Sequence, residues 1–388
     1  LMPEAYIVES LRTAGGRARK GALVGVHPAD LGATILNALV ERTGVDPAAI
    51  DDVIVGCVSQ AGEQAFAFGR NLVLASKLPD SVPAVTIDRQ CGSSQQALHF
   101  AAQAVMSGTQ DLVIAAGAES MTRVPMGSNF MLHQQAGIGE GPWPKSIRDR
   151  YGVSEFSQFV GAQMIADKYG FSREAMDQFA LDSHRKAAAA IESGAFTAEI
   201  VPVQTAAGLF YQDEGVRFDA SMEGMASVKT LGEGGTITAA IASRMPDGAP
   251  GALVASAEAV RRFGHTPIAR IVNLTVTAGD PVIMLEEPIR ATQRALERSG
   301  IKFDEIDLFE VNEAFASVPM AWLQALGADP AKLNVNGGAI ALGHPLGGTG
   351  TKLMATLLHA LQARGGRYGL QTMCEGGGIA NVTIVERL

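Results

Sequence analysis

The sequence predicts an α/β protein of two duplicated halves with a long insertion between them. Three observations carry that prediction. Strand-like apolar runs alternate with helix-like runs up to about residue 120 and again after about 246, the pattern of stacked α/β layers with buried strands. Three pattern pairs share one spacing. "IDDVIVGCV" at 50 resembles "IDLFEVNEA" at 306, the helix after Gly92 matches the helix after Gly348, and Glu119 stands opposite Glu375; each pair is 256 residues apart (306 − 50, 348 − 92, 375 − 119). A shared offset over three patterns reads as an internal repeat. The stretch between the halves is rich in Met, Gln, Gly and Pro and breaks the alternation.

The elements follow in order. "AYIVES" (5–10) is the first strand, and "PADLGATILNALVERTG" (28–44) is a helix with Asp30 as its expected cap. "IDDVIVGCV" (50–58) is a strand. "AVTIDRQC" (84–91) is a strand leading into the helix "GSSQQALHFAAQAVMSG" (92–108), which Gly108 ends. "DLVIAAGAES" (111–120) is an apolar strand running into a glycine turn. The insertion holds one clear helix, "SREAMDQFALDSHRKAAAAIESG" (172–194). The expected division is therefore 1–120 with 246–270 as one half, 121–245 as a loop domain covering the site, and 271–388 as the other half.

Composition narrows the function. The chain has 388 residues, a formal net charge of −9 and 47% hydrophobic residues. An acidic chain does not suit a phosphate-tracking surface, so no nucleic-acid partner is expected. No apolar run approaches a membrane span of about 20 residues, so no membrane insertion is expected. The three cysteines, Cys57, Cys91 and Cys374, form no CxxC pair; neither a disulfide scaffold nor a metal site is expected. The N-terminal residues are too acidic for a signal peptide, and the terminal "ERL" lacks the Ser-Lys-Leu peroxisomal address. The cytoplasm is the expected location.

Duplication places equivalent loops together. The first strand-to-helix turn carries Cys91. Its counterpart, "NGGAIALGHPLGGTG" (336–350), carries His344. "MCEGGG" carries Cys374 and "VNEAF" carries Asn312. If the halves pack about a pseudo-twofold axis, these loops meet. A helix N-terminus and a nearby imidazole both lower a thiol's pKa, so Cys91 reads as a nucleophile and His344 as its base. The small or polar residues at 92 to 95 leave backbone N–H groups free to face an oxyanion. Cys57 reads as packing. Cys374 reads equally well as packing or as an acid/base thiol. "GGTGTK" (347–352) lacks P-loop spacing, no GxSxG elbow is present, and "SHRK" (183–186) reads as a solvated helix face.

"QCGSS", "NEAFA" (312–316), "NGGAIALGHPLGGTG" and the C-terminal "C-x-GGG" resemble, together and in this order, the thiolase family. The resemblance runs over the whole chain. It implies a thiolase-like fold with stacked α-β-α-β-α layers, and an acyltransferase in which Cys91 forms an acyl-enzyme. His344 would activate Cys91 and donate to the thioester oxygen, and Cys374 would be the acid/base. Asn312 would fix a water in one oxyanion hole; Gly376, with the N–H of Cys91, would form the second. Ser243 would contact the pantetheine arm of coenzyme A, and Met284 and Phe315 would line its tunnel. Coenzyme A is implied as co-substrate, with no permanently bound cofactor, and a homodimer or homotetramer as the assembly. The implied reaction is ping-pong cleavage of a 3-ketoacyl-CoA, fatty or steroid-derived, with an acetoacetyl-CoA-forming acetyltransferase as the alternative. A ketoacyl synthase would lack the second cysteine, and a non-catalytic acyl-CoA scaffold would not need the full set.

Two stretches depart from the family pattern. "ASRMPDGAPG" places Arg244 and Pro246 beside Ser243, where small residues are usual. "SQFVGAQ" (157–163) places Ser157 where biosynthetic members have a substrate-facing His. The second departure favours the degradative reading. Met126, Phe130 and Met131 are expected either to line the acyl pocket or to pack.

Overall fold

The computed structural model describes residues 2–388. The first half holds β1 (Tyr6–Arg12), α1 (Pro28–Thr43), β2 (Asp52–Gly56), α2 (Phe68–Ala75), β3 (Ala84–Ile87), α3 (Ser93–Met106) and β4 (Leu112–Gly117). In the excursion lie two long helices, α4 (Gln158–Tyr169) and α5 (Arg173–Ser193). β5 (Pro250–Ala255) then rejoins the first half. The second half holds β6 (Ala269–Ala278), α6 (Glu287–Ser299), β7 (Ile306–Val311), α7 (Ser317–Leu326), α8 (Thr349–Arg364), β8 (Tyr368–Glu375) and β9 (Ile379–Arg387).

The strands run in the order β7-β8-β9-β6-β1-β5-β4-β2-β3. The order is a pseudo-twofold statement in itself. β6 corresponds to β1, β9 to β5, β8 to β4 and β7 to β2, and the antiparallel β1–β6 contact, Tyr6 opposite Arg270, sits at the centre. β2 runs parallel to β3 and β4, and β7 parallel to β8. The 256-residue offset holds structurally, from Ser93 to Thr349 at the helix starts and from Leu112 to Tyr368 at the strand starts.

Strand alternation builds the layers. In β2, β4 and β5, the residues Val53, Val55, Ile114 and Leu253 face outward onto Leu31, Ile35, Leu36 and Leu39 of α1 and Leu72 of α2. Their neighbours Ile54, Val113, Ala115 and Val254 face inward onto Ala97, Leu98 and Ala101 of α3 and Met354, Leu357 and Leu361 of α8. Beyond the second half, Ala291, Ala295 and Trp322 cover Phe309, Leu370 and Ile384. Helices therefore lie outside each half and between them, which gives α-β-α-β-α layers. Burying each such leucine contributes roughly 2 kcal/mol. α3 and α8 cross closely where Gly350 removes a side chain: a Cβ there would sit 2.0 Å from the backbone N of Gln95. Beside this crossing the Thr351 N–H donates to Ser94 Oγ at 2.9 Å.

Local expectations shift in three places. α1 is capped by His27, whose Nδ1 accepts from the Ala29 N–H, with Pro28 at its first position; Asp30 lies inside the first turn. The strand at 84 stops at Ile87, and Asp88–Gly92 form a turn. The insertion has a second long helix, α4, whose buried stripe is only Gly161, Ala162, Ile165 and Ala166; so thin an apolar face is hard to read as periodicity.

Candidate active site

The site lies at the C-terminal ends of the parallel strands, where α/β sheets place ligands. β3 ends in a tight turn. The Gln90 N–H donates to Asp88 Oδ1 at 2.7 Å, Ser93 Oγ donates to the Gln90 carbonyl at 2.6 Å, and the Arg89 N–H donates to Ser93 Oγ at 2.8 Å. Gln90 takes a left-handed φ of 50°, uncommon for a residue with a side chain. This elbow delivers Cys91 immediately ahead of Gly92, the N-cap of α3. Cys91 packs on Val58, Met121 and Leu346, the last from the His344 loop.

The backbone N–H groups of Gly376 and of Cys91 itself face Sγ and favour its thiolate. Burial and the nearby Glu375 nonetheless push the thiol up to about 12. This corrects the expectation of a lowered pKa. A helix N-terminus supplies only about 0.3–1 kcal/mol at an exposed site, burial opposes the charged thiolate, and the imidazole carries no charge to offer. Cys374, at the end of β8, is fully buried. Burial, then Cys91, then Glu375 hold it well above the ordinary thiol range. The two thiols are thus neighbours whose charges oppose one another.

His344 is 4% exposed. Its Nδ1 pairs with Thr349 Oγ1, and Thr349 Oγ1 donates to the Pro345 carbonyl at 3.4 Å. Nδ1 is thereby engaged, which leaves Nε2 as the ring nitrogen able to exchange a proton with a reacting group. Nε2 is buried without a partner among the described residues. Burial, with the Lys352 charge second, lowers this histidine to about 3, so it rests neutral. Lys352 is buried and donates to the carbonyls of Leu342 at 3.1 Å and Gly343 at 2.8 Å, holding the chain just before His344. Asn312 follows β7 with its N–H on the Thr372 carbonyl at 3.1 Å. Both ends of its buried side-chain amide lack a partner among the described residues.

Ser243, Met284 and Phe315 lie where the insertion meets the second half. The Ser243 N–H donates to the Ala314 carbonyl at 2.9 Å, and Ala242 bridges to Phe315. Met284 and Phe315 share one apolar cluster with Cys374, Ile340 and Ala162. Phe159 of α4 packs edge-on against Phe315 at 5.5 Å. Ser157 caps α4, its hydroxyl accepting from the Val160 N–H. Phe130 contacts Trp143, which contacts Phe156, and the amide of Asn129 donates to the Val58 carbonyl. Met126 and Phe130 are exposed, at 44% and 40%. Cys57 is buried with its thiol 3.4 Å from Glu119, and its pKa is raised by burial.

Sequence reasoning used Glu119 and Glu375 as repeat markers and gave them no task. Glu119 accepts from the N–H groups of Val58 (2.8 Å), Ser59 (3.3 Å) and Gly347 (3.0 Å) and from Gln64 Nε2 (2.6 Å), so the first half holds the His344 loop. Glu375 lies against Gly92, where a Cβ would be 2.3 Å from its carboxyl carbon, so the second half braces Cys91. Their equivalence in the repeat was the available signal. Arg12 of β1 ties down the insertion, with Nε 2.7 Å from Glu199 and a bidentate pair to Asp213.

Comparison with known proteins follows this geometry. The family model described as the thiolase N-terminal domain matches residues 5–258, and that of the thiolase C-terminal domain matches 265–387. The chain is 53% identical to the steroid 3-ketoacyl-CoA thiolase FadA6 of Mycobacterium tuberculosis, over 100% of this chain and 95% of that one. It is 39% identical to the 3-ketoacyl-CoA thiolase of Bacillus subtilis, over 99% and 100%. Against the 3-ketoacyl-CoA thiolase of Marinobacter nauticus the identity is 38%, over 99% and 98%.

Proposed function

The chain belongs to the thiolase family of acyltransferases, and from that premise we propose that it is a degradative enzyme cleaving 3-ketoacyl-CoA with coenzyme A to acetyl-CoA and a shortened acyl-CoA. The observation that carries this reading is the buried, unpartnered Nε2 of His344 gathered with the partly buried Cys91, which packs on Leu346 of the His344 loop, and with the buried Cys374.

His344 Nε2 takes the Cys91 proton as Sγ attacks the ketone carbon. The N–H groups of Cys91 and Gly376 receive the resulting oxyanion. Collapse breaks the bond between the α- and β-carbons and releases the enolate of acetyl-CoA. His344 and an Asn312-held water steady its thioester oxygen, and Cys374 gives its proton to the carbon. The Cys374 thiolate then takes the proton of incoming coenzyme A, whose sulfur attacks the Cys91 acyl thioester. Collapse returns Cys91, reprotonated by His344. One base used in both directions gives ping-pong kinetics. Ser243 holds the pantetheine arm, and Met284 and Phe315 wall its tunnel. The segment 121–245 covers the site as a loop domain between the halves 1–120 with 246–270 and 271–388. Homodimeric or homotetrameric assembly and a cytoplasmic location complete the proposal. Identity to a steroid-named relative and to several 3-ketoacyl-CoA thiolases supports fatty or steroid-derived chains, and the helix-capping Ser157, in place of a histidine, supports degradation over acetoacetyl-CoA synthesis.

The test is intact-protein mass after mixing with 3-ketoacyl-CoA in the absence of free coenzyme A. An added acyl mass, lost in Cys91→Ala, is expected. A wild-type enzyme that binds the thioester and gains no mass refutes the acyl-enzyme.

A further inference from the structure

Next to Ser243 the structure gathers hydrogen-bond donors that have no acceptor. Arg244 is partly buried, and its Nε is buried without a partner among the described residues. Its side chain runs over Gly215, with Cγ 3.5 Å from where a Cβ would stand. Two residues on, the N–H of Arg217 donates to His184 Nδ1 at 3.0 Å. The His184 proton therefore sits on Nε2, which is also buried without a partner. Arg17 pairs with Pro246 in a short ladder, and the Ala18 N–H donates to the Met245 carbonyl at 3.1 Å. None of Arg17, Arg217 or Arg244 has a carboxylate within ion-pair distance among the described residues. The acids packed nearby are engaged elsewhere. Glu214 accepts from the N–H groups of Arg17 at 2.8 Å and Ala22 at 3.0 Å, and Asp213 is held by Arg12 and the Gly15 N–H.

Arg17 and Arg217 are exposed, whereas the Arg244 Nε and the His184 Nε2–H are buried and costly to leave unpaired. Burial and the charges of Arg217 and Arg17 draw Arg244 down to about 10. On a chain of net charge −9, an uncompensated basic cluster is a local feature. A guanidinium fork matches the two oxygens of a phosphate or carboxylate. The Arg244 backbone is tied to the His344 loop: its carbonyl accepts the His344 N–H at 2.9 Å, and its N–H donates to the Ala339 carbonyl at 3.1 Å.

We propose that Arg17, Arg217, Arg244 and His184 form an oxyanion-binding site for an anionic group carried by the acyl-CoA, remote from the bond that breaks. The proposal rests on the thiolase reading above. The anion is either a phosphate of coenzyme A or a carboxylate borne by the acyl chain, and the experiment separates them.

Acyl-enzyme formation, in which no free coenzyme A takes part, is followed with three substrates: a methyl-ended 3-ketoacyl-CoA, the same chain ended by a carboxylate, and the methyl-ended chain as its N-acetylcysteamine thioester, which has no phosphates. Wild type is compared with Arg244→Met and with Arg217→Gln, whose exposed side chain can be changed without risk to folding. A carboxylate ligand is indicated if half-saturation rises tenfold or more for the carboxylate-ended chain alone. A phosphate ligand is indicated if it rises equally for both coenzyme A thioesters and is unchanged for the N-acetylcysteamine thioester. In either case the maximal rate stays within about threefold, and Arg244→Lys recovers part of the loss. Unchanged half-saturation throughout, or an equal loss on all three substrates, overturns the site. Absence of an acyl-enzyme in wild type would instead defeat the thiolase reading, so the two failures are distinct.

Discussion

The backbone N–H of Gly376 faces the sulfur of Cys91 and favours its charged form. Gly376 stands after the last residue of β8, and Cys91 stands before the first turn of α3. The two come from different halves of the duplicated fold. The same N–H that meets the sulfur at rest is placed to meet negative charge as it develops one bond away, where a preorganised donor is worth most.

Cys91, partly buried, should react as a thiol rather than a standing thiolate. With its pKa pushed up to about 12, the rate of iodoacetamide alkylation is expected to climb about tenfold per pH unit between 7 and 10, following the thiolate fraction. A rate that levels off by pH 10 would show a thiol of ordinary or lowered pKa and contradict the burial argument.

Cys374→Ala should separate binding from chemistry. The residue is fully buried beside Cys91, and a positioned acid/base contributes typically 10²–10⁴-fold. Thiolysis is expected to slow by about that factor, while Cys91 remains open to alkylation. Turnover within a few-fold of wild type would remove Cys374 from the proton path.

His99 lies fully buried under the site, with Nε2 2.8 Å from Thr383 Oγ1. Burial lowers it from 6.5 to about 3. The sign follows from proton binding: below pH 6.5 the unfolded chain takes up a proton that the folded chain refuses, so this group weakens the fold as pH falls from 6.5 toward 3. Between pH 6.5 and 5 the loss is about 2 kcal/mol. Denaturant unfolding at pH 7 and 5 should show a steeper decline for wild type than for His99→Gln, and equal declines would reject it.

Gly350→Ala should loosen the crossing of α3 and α8. Its added carbon would stand 2.0 Å from a backbone nitrogen of α3, which no side-chain rotation relieves. Overpacking of this kind costs about 1–3 kcal/mol. Because these two helices follow Cys91 and His344, a lowered melting temperature is expected together with lowered turnover. An unchanged melting temperature would mean that the helices do not bear on one another there.

The duplication was legible because it is written twice. Strand, turn and helix recur at one offset, and the strand faces show the two-residue alternation that buries them between helices. That periodicity also placed Cys91 before a helix, His344 and Asn312 on loops, and Cys374 at a strand end. Less survived where the signal was local and weak. Asp30 looked like a cap, yet His27 stands where the chain turns, and α4 was hidden because it buries only four small or apolar residues.

Connectivity is thus written along the chain: which pattern follows which, and which reactive residues sit at equivalent turns. Environment comes from folding alone. Whether Cys91 rests as thiol or thiolate depends on Glu375 and Gly376, more than 280 residues away along the chain, and whether His344 rests neutral depends on burial among residues of both halves. The same holds for Glu119 on the Gly347 N–H and for the Arg244 Nε, buried without a partner among the described residues. Desolvation and charge act through space at a few ångströms, and no spacing along the chain encodes which groups folding will bring within that range.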